Sequence, residues 1–174
     1  MTLHSLTRSY KFGDANKSDT LAFRAAAGRF ATGVTIVTTM SETVPIGVTA
    51  NSFTSVSLDP PLILVCLGKA LGCVDAFSDT EHFAVNVLKS AQRDTSVRFA
   101  TKGIDRFDGT DWNVSETNTP LLDDALARIE CLKHSQMDYG DHTIFIGQVL
   151  SCTYDPTDEP LLYFGGEYRS LQND

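Results

Sequence analysis

The spacing of apolar residues changes period along the chain, and each change marks an element. Over residues 20–32 it is helical: Leu21, Ala25, Gly28 and Thr32 form one stripe, and Phe23, Ala27 and Phe30 a more apolar one. Ser18 or Asp19 supplies a cap, Ala25, Ala26 and Ala27 favour helix, and Gly33 stands where a terminating glycine belongs. The period then becomes two. Residues 34–39 are β-branched throughout and predict a strand, and 44–50 return as its hairpin partner after a turn at 41–43. Pro45 suits a strand start or an edge.

Residues 62–67 are an unbroken apolar run behind Pro60 and Pro61, too short for a lone helix, and predict a buried strand. A short helix over 71–77, a strand over 83–88 and a helix over 91–100 follow, the last with Val97 and Phe99 inward. Residues 101–119 read as a surface excursion packed by Phe107 and Trp112. The clearest hairpin joins 126–135 to 142–153 through a turn at 138–141. A last strand covers 161–164, and Gly165-Gly166 turns the chain toward Tyr168. Phe30, Phe83, Phe145 and Trp112 are expected to pack the core or its loops. Six or seven strands joined mostly as hairpins argue for a mainly β fold, a closed antiparallel barrel with peripheral helices, over a doubly wound parallel sheet. Residues 1–19, rich in Ser, Asn, Lys and Gly, read as a flexible arm, and 20–174 as one domain.

Composition narrows the partners. The 174 residues suit one domain, and a net charge of −8 without a long basic run argues against nucleic acid and anionic membranes. No stretch approaches the roughly 18 apolar residues of a membrane span, and no apolar signal-peptide core is visible, so a cytoplasmic location is expected. Cys66, Cys73, Cys131 and Cys152 form no C-x-x-C pair and are expected to be free thiols. G-x-G-x-x-G, the P-loop pattern and G-x-S-x-G are all missing, and the four histidines lack zinc spacing, so no metal is expected. If the chain is an enzyme, an organic cofactor supplies the reactivity.

The most informative stretch is GVTANSFTSVSLDPP, residues 47–61. It starts as an apolar strand and then gathers the hydroxyls of Thr49, Ser52, Thr54, Ser55 and Ser57 with the amide of Asn51. Such groups can hydrogen-bond a ring edge, a ribityl chain or a phosphate without fixed positive charge. They can equally form a solvated strand end whose hydroxyls bond the local backbone. Continued alternation would send Asn51, Phe53 and Ser55 to one face and Ala50, Ser52 and Thr54 to the other.

The strings FRAAAGRFATGVTIVTT (23–39) and PIGVTANSFTSVSLDPPLILVCL (45–67) resemble the flavin reductase-like family, the reductase components of two-component flavin-dependent monooxygenases. FAVNVL (83–88), GDHTIFIGQVL (140–150) and PLLYFGGEYRSL (160–171) follow in the family's order. The resemblance implies an FMN-binding split barrel, a homodimer with flavin near the subunit interface, and hydride transfer from NADH or NADPH to FMN or FAD. Reduced flavin would pass to a separate monooxygenase.

By that resemblance Thr49, Ala50, Asn51 and Ser52 line the ring and ribityl region. Ser55 and Ser57 are candidates for ribityl or phosphate, and Cys66 and Leu67 border the flavin, with a buried core thiol the rival reading for Cys66. His142, oriented by Asp141, positions the nicotinamide, and Tyr168 is a second residue on that side. Residues 68–73 depart from the serine-rich phosphate loop of many relatives, which leaves Lys69 or Lys89 as the phosphate's point charge. Arg98, followed by Phe99, is either a flavin contact or a surface charge. Arg24, Arg29 or Arg169 could meet a 2′-phosphate. Two other readings keep the fold: a flavin carrier or sensor without turnover, and an oxidase or oxygenase acting directly on a small organic substrate.

Overall fold

A computed structural model describes residues 17–171, so most of the expected arm lies outside the described residues. Helix α1 (Lys17–Ala27) starts and ends earlier than the pattern predicts, because the chain turns at Gly28 to dock on the barrel. The strands are β1 (Thr32–Gly33), β2 (Thr35–Ser41), β3 (Val44–Ala50), β4 (Thr54–Leu58), β5 (Pro61–Gly68), β6 (His82–Val87), β7 (Trp112–Val114), β8 (Pro120–Leu122), β9 (Ala127–Tyr139), β10 (His142–Tyr154), β11 (Leu162–Phe164) and β12 (Glu167–Arg169). Helix α2 (Val74–Asp79) follows a 3-10 turn at Lys69–Leu71, and α3 (Arg93–Ala100) follows another at Ser90–Gln92.

Seven strands form one antiparallel sheet in the order β3-β2-β6-β9-β10-β5-β4. Its end strands β3 and β4 are consecutive in the chain, yet no ladder joins them among the described residues. The barrel is therefore split there rather than closed, and residues 51–53 span the gap. Strands β1, β11 and β12 form a small sheet of their own, and β7, within the polar excursion, pairs with β8 just after it, which the sequence does not reveal.

Strand β2 is buried on both faces because two cores meet on it. Val37 joins Val65, Leu67, Phe83 and Phe145 in one core, while its neighbour Ile36 joins Leu88, Phe99, Phe107 and Leu122 in the other. Phe107 packs edge-on against Phe99 and Trp112, with centroids 5.0 and 5.2 Å apart, which anchors the excursion as expected. The buried Asn86 amide is paired: it donates to the Ile36 carbonyl at 3.0 Å and accepts the Leu122 amide at 2.9 Å, tying β8 to the barrel. In α3 the inward residues are Ser96 and Phe99, whereas Val97 is exposed, because a spacing of three rather than two shares a helical face. Phe30 is 78% exposed rather than packed.

The β9–β10 hairpin is longer than predicted and turns on two residues, Gly140 and Asp141. Gly140 has φ 57°, and a glycine at the first turn position gives the twist that antiparallel strands require. The first residue after this turn is His142.

Candidate functional site

A cleft of about 680 Å³ opens between α1, the end of β3, the buried face of α3 and the Gly165-Gly166 turn. That volume lies inside the roughly 300–1,000 Å³ of small-molecule sites. Thr49, Ala50 and Asn51 form one wall, Tyr163 and Tyr168 another, and Arg24, Arg29 and Phe30 the outer edge. The Tyr168 hydroxyl lies 2.8 Å from Ser96 Oγ, and Thr49 Oγ1 donates to the Ser96 carbonyl at 2.6 Å. Ser96 thus clamps β3 and the Tyr168 turn to α3. Tyr168 also packs edge-on to Tyr163, with centroids 5.4 Å apart.

Beyond Asn51 the rim continues across the split. Ser52 Oγ donates to the Cys66 carbonyl and accepts from the Cys66 amide. Two residues further along β5, Gly68 pairs with His142 on β10. A Cβ on Gly68 would lie 3.5 Å from His142 Nε2, so the ring covers the bare backbone there. His142 Nδ1 is 2.8 Å from Asp141 Oδ1. The Asp141 carboxyl is held below the usual carboxylate range, first by that hydrogen bond and then by the His142 charge. An ionised carboxylate only accepts, so Nδ1 carries the proton of this hydrogen bond, and Nε2 takes no part in it. Lys69 braces this tip: its amide donates to the Asp141 carbonyl at 2.9 Å, and its ammonium meets Asp138 at 3.0 Å and the Gly140 carbonyl at 3.3 Å.

The predicted residues separate into those on this rim and those elsewhere. Thr49, Ala50, Asn51 and Tyr168 line the cleft, and Ser52, Cys66, Lys69 and His142 continue from it. Leu67 is 1% exposed and points into the barrel, so only its backbone borders the rim. Ser55 and Ser57 stand on β4, the outermost strand, and are exposed and half-buried. Phe99 is a core residue: fully buried, it lies so close to Gly47 that a Cβ there would come within 2.5 Å of its ring. Lys89 is held by Asp124, Asp155 and Asp158 at 2.9, 3.2 and 3.4 Å, which raises its pKa and occupies its charge. Arg98 turns to the Asp105 carbonyl, and Arg169 pairs with Glu167 at 2.6 Å.

Four residues of the cleft carry no clear signal in the sequence: Ser96, Thr32, Gly165 and Tyr163. Ser96 was legible only as a small polar residue three positions before Phe99, on the buried face of α3. The other three meet the cleft because β1, β11 and β12 pair beside α1.

These uncharged polar groups suit a hydrogen-bonding ring. Among the described residues the Asn51 amide has no hydrogen-bond partner and can both donate and accept. The Thr49 and Ser52 hydroxyls spend their protons on backbone carbonyls, which leaves only lone pairs for a ligand.

Residues 27–172 match the flavin reductase like domain, and the chain belongs to that family. It is 39% identical over 156 residues to the flavin-dependent monooxygenase reductase subunit HsaB of Mycobacterium tuberculosis, covering 88% of this chain and 83% of that protein. It is 44% identical over 147 residues to the FMN reductase (NADH) SmoA of Agrobacterium fabrum, covering 84% and 83%. Among solved structures, the Streptomyces globisporus NADH:FAD oxidoreductase SgcE6 in complex with NAD and FAD fragments superposes with a TM-score of 0.86 at 40% identity, over 94% of this chain and 99% of that one. The split-barrel architecture is that of these reductases.

Proposed function

We propose that this chain is an NAD(P)H-dependent flavin reductase that reduces FMN or FAD and supplies reduced flavin to a separate flavin-dependent monooxygenase. One observation carries the reading: an uncharged rim from Thr49 to Ser52 faces an open cleft and leads to His142, in a chain similar throughout to NADH-dependent flavin reductases. The name of HsaB supports the monooxygenase partner, and the names of SmoA and SgcE6 support NADH with either flavin.

The flavin, when bound, supplies the two-electron acceptor, and the dihydronicotinamide supplies the electrons. Asn51 offers donor and acceptor to the edge of the ring, and the backbone of residues 50–52 lines it. Ala50 leaves the wall flat. Cys66, half-buried on the outward face of β5, borders the ring beside the backbone of Leu67. His142 positions the nicotinamide through Nε2, with Asp141 fixing the ring and Lys69 fixing the turn. Tyr168, held by Ser96, closes the far wall. Ser55 and Ser57 reach only a ligand that extends along the outer strand. Close stacking of the two rings is the main requirement for the transfer, so these residues act by placement more than by proton chemistry.

We also place the chain in the cytoplasm as a homodimer. Four free thiols suit a reducing compartment, and no described helix is long and apolar enough to cross a membrane. Leu21, Phe30 and Leu58 are 67, 78 and 92% exposed, apolar surface of the kind that a second subunit covers. The test of function is anaerobic: FMN or FAD is added with protein, then NADH or NADPH. Loss of the flavin's visible absorption band is expected, and its persistence with every pairing would overturn the reading.

A further inference from the structure

We propose that Arg24 and Arg29, with the hydroxyl of Thr32, form a phosphate-binding end of the cleft that takes a phosphate of the flavin nucleotide or of the nicotinamide dinucleotide. The inference rests on the flavin reductase reading and adds a subsite to it. Three observations converge. First, the cations offered by the sequence for the flavin phosphate are engaged elsewhere, Lys69 by Asp138 and Gly140 and Lys89 by three aspartates, and Arg98, offered as a flavin contact, turns to the Asp105 carbonyl.

Second, the cleft has the opposite charge to its protein. The chain carries 22 acidic residues against 14 Lys and Arg, yet among the described residues the cleft lining holds two arginines and no Asp or Glu. Among the described residues neither Arg24 nor Arg29 has a carboxylate partner. The Arg29 guanidinium lies over the Phe164 ring at 5.1 Å, a contact that holds it in place without neutralising it. Gly165 leaves room for it, since a Cβ there would come within 3.1 Å of Arg29 Nη2.

Third, Thr32 Oγ1 lines the same cleft, is buried, and has no hydrogen-bond partner among the described residues. A buried hydroxyl without a partner costs stability unless a ligand or water completes it. Two guanidiniums and a neutral donor suit a phosphate's oxygens, whereas the uncharged Thr49–Asn51 wall suits a ring. Arg24 also lies in the last turn of α1, where a cation favours the helix end by itself. The test separates that role from ligand binding.

The test compares the wild type with R24Q/R29Q and with R24K/R29K, reading dissociation constants by flavin fluorescence for riboflavin, FMN and FAD. If the phosphate is the flavin's, R24Q/R29Q weakens FMN about tenfold or more, leaves riboflavin unchanged, and the lysine variant recovers part of the loss. If it is the nicotinamide's, the FMN-to-riboflavin ratio holds, while KM for NADH, measured with riboflavin as acceptor, rises by about the same factor. A comparison of NADH with NADPH then assigns or excludes the 2′-phosphate. Either result supports the subsite. Unchanged constants for every ligand, or riboflavin weakened as much as FMN, overturn it. A wild type that neither binds flavin nor oxidises NADH refutes the function itself, a different outcome. Because both arginines are exposed, Arg24 on α1 and Arg29 just past its end, melting curves should match the wild type, and the lysine pair controls for any helix effect.

Discussion

The Ser52 hydroxyl donates to the carbonyl of Cys66 at 2.8 Å and accepts from the amide of the same residue at 2.9 Å. One side chain thus replaces a pair of ladder bonds where the barrel is split, and fixes the rim of the cleft to β5. Ser52→Ala leaves a half-buried amide and carbonyl unpaired. It is expected to cost about 1–3 kcal/mol in urea unfolding and to weaken flavin binding, with Ser52→Thr losing less. An alanine variant with unchanged stability and affinity would show that the split is held by other contacts.

Gly147 sits on β10 where the β9 register shifts, and a Cβ there would lie 2.6 Å from the Phe83 ring and 2.7 Å from Cys131 Cβ. Gly147→Ala must displace a buried ring, so destabilisation of about 1–3 kcal/mol is expected, without a direct effect on NADH. Urea titration alongside KM checks both halves.

His142 and Asp141 form a pair whose loss should fall on the nicotinamide. His142→Ala is expected to raise KM for NADH about tenfold while the FMN dissociation constant changes little. Asp141→Asn, which can still accept from Nδ1, should lie between that variant and the wild type. A His142→Ala protein with an unchanged KM for NADH would remove the residue from the site.

Acid should unfold the protein through particular carboxyls. Asp155 is held at about 2, first by hydrogen bonds from the Thr157 side chain and amide and then by Lys89. Asp138 is lowered by Thr143 and Lys69, and Asp141 by His142. Folded-state values below the unfolded ones stabilise fully above the ordinary carboxylate pKa of about 4, and the gain is lost as pH falls through the folded values. The melting temperature should therefore fall mainly below about pH 4, and Asp155→Asn should reduce that fall. A decline already complete by about pH 5 would point to other groups.

The thiols should differ in reactivity. Burial pushes Cys131 up to about 12, with Glu130 adding to it, and burial also raises Cys66 and Cys73, the last partly offset by Arg106. Cys152 is exposed. A thiol reagent at about pH 8 should label one cysteine quickly and the others slowly, and Cys152→Ser should remove the fast phase. Rapid labelling of Cys131 would contradict its burial.

Periodicity revealed β2, β3, β5, β6 and the β9–β10 hairpin because each buries a regular set of side chains, and the run from Thr49 to Ser52 was legible as a donor-rich strand end. The roles of its hydroxyls were not. Whether Thr49 bonds a ligand or the Ser96 carbonyl depends on where α3 docks, some 47 residues along the chain. Lys89 and Phe99 illustrate the same limit. The aspartates around Lys89 lie 35 to 69 residues away, and Phe99 meets Gly47 only once the second core forms. The sequence offers Arg24 and Arg29 for a 2′-phosphate without a place in the fold, because the cleft they edge exists only after Gly165 docks on Gly28.

The central claim is that the rim from Thr49 through Ser52 to His142 holds the flavin for the nicotinamide. A crystal structure of the protein with bound FMN or FAD tests it most directly. The isoalloxazine ring should lie against residues 49–52 and the end of β5, with one face open toward His142. A ring lodged on another surface, with this rim bare, would contradict the account.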